Sequence, residues 1–148
     1  MSRERVLFFI DDSNYAGQTF KEIFDRYKID QTDIVSLESV VDLDNIDREY
    51  DVIVIEKGFK GDLRETAKFV QNLKKHTAIP IVGVDCLCCK GNAFTLLVAG
   101  CNFLVPNIVP NQTSPKIYKN EMEYYAQITS ELCFLISDIC KAKEELGN

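Results

Sequence analysis

The sequence predicts an α/β fold, a doubly wound five-stranded parallel sheet with a long C-terminal helix. Three observations carry this reading. Short apolar runs recur at 6–10, 34–37, 51–56, 79–84 and 103–105. The most apolar of them lack polar alternation and read as strands buried on both faces, as in a parallel sheet. The segments between strands place apolar residues three and four apart, so strand alternates with helix. Three of the runs end in acids: Asp11 and Asp12, Glu56, and Asp85. Carboxyl ends of parallel strands share one edge, where open α/β sheets bind ligands.

Each element has its own warrant. The run 6–10 is followed by Asp12 and Ser13, either of which caps a helix to about Lys28. Its inward stripe is Ala16, Phe20, Ile23, Phe24 and Tyr27. The second strand is 34–37, and the acidic, weakly periodic stretch 40–50 predicts a short or distorted helix. The third strand ends in Glu56, and Gly58 and Gly61 mark a loop. Asp62 with Glu65 forms a capping box, opening a helix with Leu63, Ala67, Val70 and Leu73 inward. The fourth strand is 79–84, a helix covers roughly 92–99, and Pro106 stops the fifth strand. The last helix runs over about 118–145. Its stripe is Tyr125, Ile128, Leu132, Leu135, Ile139 and Ala142, widened by Ala126, Cys133, Ile136 and Cys140.

The 148 residues suit one domain, with a core over about 4–106. Apolar content of 46% and charged content of 27% are those of an ordinary globular chain. A net charge of −6 and a pI near 4.8 lack the basic footprint that nucleic acid requires. Arg3-Glu4-Arg5 leads into an apolar run too short for a secretory signal, and no apolar stretch is long enough to cross a bilayer. A chain of this length needs no disulfide staples, so the six cysteines read as reduced thiols in a cytoplasmic protein.

The acids form a candidate pocket. Oxygen donors from three strand ends suit a hard divalent cation, Mg²⁺ or Ca²⁺. With no cation present, like charges so close raise at least one pKa.

These residues resemble the receiver domains of two-component response regulators, over about 4–106. Asp11-Asp12-Ser13 is similar to the family's metal-binding acid pair. Glu56, 44 residues after Asp12, stands where the family carries its phosphoacceptor aspartate. Pro80-Ile81-Val82-Gly83-Val84 resembles the family's fourth strand, and Ala99-Gly100 the close of its fourth helix. Phe103 lies at the position of its aromatic switch residue. The resemblance implies a receiver-like, flavodoxin-like fold and a signalling role through protein contacts.

The departures are equally specific. Glu56 replaces the phosphoacceptor, Asp85 the switch hydroxyl residue, and Pro106 the lysine after the fifth strand. The Met-Pro pair after the phosphoacceptor is missing from Lys57-Gly58-Phe59-Lys60. Phosphoryl transfer needs an in-line acceptor and neutralising cations. Glu56 reaches one methylene further and crowds a metal, Asp85 adds repulsion, and no lysine pairs with the product. The sequence therefore reads as a pseudo-receiver that is not an enzyme, holding a cation at Asp11, Asp12 and Glu56 if it holds one.

Two alternatives stay open. One is a phosphorylatable, Mg²⁺-dependent receiver accepting at Asp11 or Asp12. The other is a redox- or metal-sensing flavodoxin-like module using Cys86, Cys88 and Cys89. Against the latter, C-x-C-C is not a standard ligand spacing, and acidic surroundings disfavour thiolates. His76, the single histidine, follows two lysines at a helix end and reads as a cap or surface residue. A helix about 40 Å long overhangs one domain face, so a homodimer is expected beside a protein partner. The resemblance adds the face carrying the fourth and fifth helices as its candidate surface.

Overall fold

The computed structural model describes residues 5–9, 32–35, 43–56, 62–84, 90–105 and 121–147. The expected first helix, the 57–61 loop, the acids Asp11, Asp12 and Asp85, the Cys86 to Cys89 stretch and Pro106 lie outside them. Among the described residues five strands form one sheet: β1 (Val6–Phe9), β2 (Thr32–Val35), β3 (Val52–Glu56), β4 (Ile81–Val84) and β5 (Phe103–Val105). All neighbours are parallel, in the order β2-β1-β3-β4-β5. The described helices are α1 (Ile46–Glu49), α2 (Leu63–His76), α3 (Lys90–Ala99) and α4 (Glu121–Glu145).

Local chemistry explains most boundaries. The 40–50 stretch contains a 3-10 turn, Leu43–Asn45, running into the single-turn α1. Only Ile46 of α1 is buried, so little apolar area holds a longer helix. Asp62 caps α2 as expected, its Oδ1 accepting the Glu65 amide at 2.8 Å. Two strands start elsewhere than their apolar runs suggest. β2 begins at Thr32, because parallel pairing is a backbone ladder and Thr32 stands opposite Val6, where β1 begins. β4 begins at Ile81, after a proline with no amide to donate. The Pro80 carbonyl still accepts from the Ile53 amide at 3.0 Å. α3 starts at Lys90, slightly ahead of the expected 92.

Alternation along the strands builds two cores. Leu7, Phe9, Ile53, Ile55 and Ile81 face α2 and α3, meeting Val70, Leu73 and Leu96. Val6, Phe8, Val52, Val54, Val82, Val84 and Val105 face α4, meeting Ile128, Leu132, Ile136 and Ile139. Among the described helices it is α4 that lies across these β-branched side chains.

The seam of α4 is narrower than its sequence suggests. Ile128, Leu132 and Ile136, four apart, are fully buried, whereas Leu135, Cys133 and Cys140 are half-buried. Ala126 and Ala142, expected inward, are exposed. The 25 residues of α4 span about 37 Å, whereas strands of three to five residues reach about 10–17 Å. The sheet cannot cover the whole helix.

Candidate functional site

The site's frame is the carboxyl edge of the sheet. The strand order reverses direction at β1, whose neighbours are β2 and β3, so the crevice between β1 and β3 is the topological switch point. Phe9 pairs with Ile55, and Glu56 pairs with Val84 on β4. Glu56 therefore ends the central strand one step beyond the last described residue of β1. Its side chain is 5% exposed. A carboxylate is the kind of hard oxygen donor that divalent cations take.

Of the other expected pocket residues, Asp85 follows Val84 directly in sequence, and Asp11 and Asp12 follow β1 by two and three positions. Their placement, like that of Cys86, Cys88 and Cys89, lies outside the described residues. Among the described residues no cluster of His, Cys, Asp and Glu side chains is placed to hold a metal ion. His76 closes α2 with its Nδ1 3.5 Å from an Asp44 carboxylate oxygen, exposed as expected for a helix-end residue.

Phe103 opens β5 with its ring 41% exposed. It lines a cavity of about 490 Å³ between α3, β5 and α4, whose wall includes Leu97, Leu104, Val105, Phe134 and Leu135. Phe94, Leu97 and Val98 of α3 and Phe134 of α4 add exposed apolar surface. Glu131 and Asp138 join the lining from α4. The sequence stripe of α4 passed over Phe134, since it falls outside the three-and-four spacing of the core seam. An aromatic residue placed off a helix's buried stripe is the signal that identifies it.

Position at the opposite end of the sheet is fixed by Asp51. Its Oδ2 accepts from the Arg5 amide at 3.1 Å, and its Oδ1 lies 3.0 Å from Lys143 Nζ and 3.5 Å from an Arg5 guanidinium nitrogen. Burial pushes the Asp51 carboxyl up, but the Lys143 ammonium and the Arg5 amide and guanidinium outweigh burial and hold it below its usual value.

Solved structures share this fold. The Mn²⁺-bound form of response regulator Rcp1 matches with a TM-score of 0.59 at 14% identity, over 89% of this chain and 94% of that one. A response regulator from Hahella chejuensis matches with a TM-score of 0.50 at 20% identity, over 88% of this chain and 93% of that one. The fold is that of response-regulator receivers. No protein-family model and no curated protein matches the sequence.

In this receiver-like fold the central strand ends in a glutamate, and the exposed aromatic of β5 faces a groove between the two flanking helices. Among the described residues, no helix is long and apolar enough to cross a membrane.

Proposed function

We propose that this chain is a pseudo-receiver, a non-enzymatic signalling module that acts through protein contacts and is not phosphorylated in the usual way. The observation that carries the reading is Glu56, a buried carboxylate at the carboxyl end of the central strand, where the sequence resemblance puts the phosphoacceptor. Its extra methylene moves the carboxylate out of the in-line position that phosphoryl transfer demands, and small misplacements are costly to such a step. Asp85 in place of a hydroxyl and Pro106 in place of a lysine remove the groups that would stabilise a transferred phosphoryl group.

Asp11, Asp12 and Glu56 are the residues that would hold Mg²⁺ or Ca²⁺, supplying charge neutralisation at that edge. The chemistry of the donors fits, since all three are carboxylates, and the Mn²⁺ bound by Rcp1 supports a divalent cation in this fold. Output passes through the surface of α3, β5 and α4, with Phe103 at the switch-equivalent position. A second copy and a different protein both remain occupants of that surface, and the expected homodimer belongs to this proposal. The cytoplasm is the compartment that suits a reduced, cysteine-bearing module of this kind.

The test is incubation with a small phosphodonor and Mg²⁺, followed by intact-mass measurement. The expected result is no mass gain. A base-labile gain of one phosphoryl group, mapped to Asp11 or Asp12, would replace this reading with that of a working receiver.

A further inference from the structure

We propose that the cavity between α3, β5 and α4 binds a small aliphatic diamine or polyamine as a free ligand. The proposal goes beyond the protein-contact reading and gives the cavity a small-molecule occupant of its own. Its volume of about 490 Å³ falls within the roughly 300–1,000 Å³ of pockets that hold small molecules. Phe103, Leu135 and Phe134 supply apolar wall, and a methylene chain gains by leaving water against such side chains.

The polar groups select the ligand class. Glu131 and Asp138 line the cavity from α4, two helical turns apart, and so stand about 10 Å from each other along the helix axis. Leu135 lies four residues after Glu131 and three before Asp138, on the same helix face. The wall therefore reads acid, apolar, acid. Two ammonium groups joined by a chain of about six methylenes repeat that order at the same spacing. The rings of Phe103 and Phe134 favour a cation beside them as well as the chain. Glu131 accepts a hydrogen bond from Gln127 Nε2 at 3.0 Å, and among the described residues neither acid has a cationic partner. Lys74 reaches the cavity's border, but its Nζ is held on Asn102 Oδ1 at 2.9 Å, an oxygen that also accepts the Ile81 amide at 2.9 Å. Both lone pairs of that oxygen are then engaged, which leaves the two carboxylates as the side-chain acceptors of the lining. A monoamine leaves one carboxylate unmatched, and an anionic ligand meets like charge.

The test is isothermal titration of the full chain at physiological salt with diaminohexane, spermidine and the monoamine hexylamine. Diaminohexane and spermidine are expected to bind once per chain, and hexylamine about fivefold more weakly than diaminohexane, from one lost ion pair. The variant E131Q/D138N should bind diaminohexane about tenfold more weakly, from two lost pairs. The control E144Q/E145Q makes the same change in net charge at the far end of α4 and should stay within about twofold of the parent. Glu56→Gln should also stay within about twofold, which separates the cavity from the acids of the carboxyl edge. Thermal melts establish that each variant is folded. No binding of diaminohexane at millimolar concentration, equal affinity for hexylamine, or equal weakening in E131Q/D138N and E144Q/E145Q would overturn the proposal. So would loss of binding in Glu56→Gln, or self-association by sedimentation that Phe134→Asp abolishes, since a second copy would then fill the cavity. None of these outcomes bears on the phosphodonor experiment, so the two readings fail separately.

Discussion

The Asp51 clip makes a quantitative prediction about how the long helix is held. Lys143 lies in the last turn of α4 and Asp51 at the amino end of β3, 92 residues apart in sequence. Their side chains are 27% and 18% exposed, so the pair is shielded more than a surface ion pair and less than a core one. A hydrogen bond to a charged group contributes about 1.5–3 kcal/mol when shielded, and an exposed ion pair about 0.2–1. Partial exposure puts Lys143→Met near the middle, at a loss of about 1.5 kcal/mol. Arg5 is 38% exposed, and its guanidinium adds little, whereas its amide hydrogen bond adds to the cost of changing Asp51.

Urea denaturation of the parent, Lys143→Met, Asp51→Asn and the double variant closes the cycle. The coupling energy is expected at about 1 kcal/mol, with Lys143→Met lowering the melting temperature by about 3–6 °C. The pH dependence has a fixed sign. The Asp51 carboxyl has a depressed pKa when folded. Its stabilisation is present above the unfolded value of about 4 and is lost as pH falls through the folded value. The gap between the parent and Asp51→Asn should therefore hold from pH 7 to about 5 and shrink below about 4. A coupling energy indistinguishable from zero, or a gap that grows in acid, would refute the clip.

Three other outcomes follow from the same physical reasoning. Gly100 closes α3 with φ +135°, and a Cβ there would lie 2.6 Å from Lys74 Cγ, so Gly100→Ala should cost about 1–3 kcal/mol in chemical denaturation. Burial pushes the Cys101 thiol up to about 12, against a weaker downward pull from Lys74. Iodoacetamide at mildly alkaline pH should therefore spare Cys101 in the folded protein and label it after unfolding, read by peptide mapping. Millimolar Mg²⁺ should raise the melting temperature, by about 3–5 °C at ten times the dissociation constant, and Glu56→Gln should reduce that shift.

The carboxyl edge shows how far sequence reasoning reached into the candidate site. Glu56 was legible because an apolar run ending in an acid marks the carboxyl end of a strand, and the resemblance to receiver domains gives its spacing of 44 residues from Asp12 a meaning. Its pairing with Val84, and so its place beside the fourth strand, is a matter of register that no local pattern encodes. The groove was legible only at Phe103. Leu97, Glu131, Phe134 and Asp138 come from separate helices, and their assembly depends on how those helices pack around β5. Arg5 and Lys143 read as ordinary charges in the chain and find Asp51 only across the folded sheet.

By itself the sequence determined the class of fold, the number of strands and the capping of α2, because burial on both faces, helical spacing and cap chemistry are local properties. It also determined which chemistry the carboxyl edge could carry, since residue types are fixed before folding. Tertiary structure alone decided the strand order, the start of β2 and the width of the α4 seam. Each depends on distances between segments far apart in the chain. The Ile128, Leu132 and Ile136 row is buried because residues four apart on α4 share the side that meets the valines of the sheet, whereas Phe134, about 200° around the helix from Leu132, stays in the open.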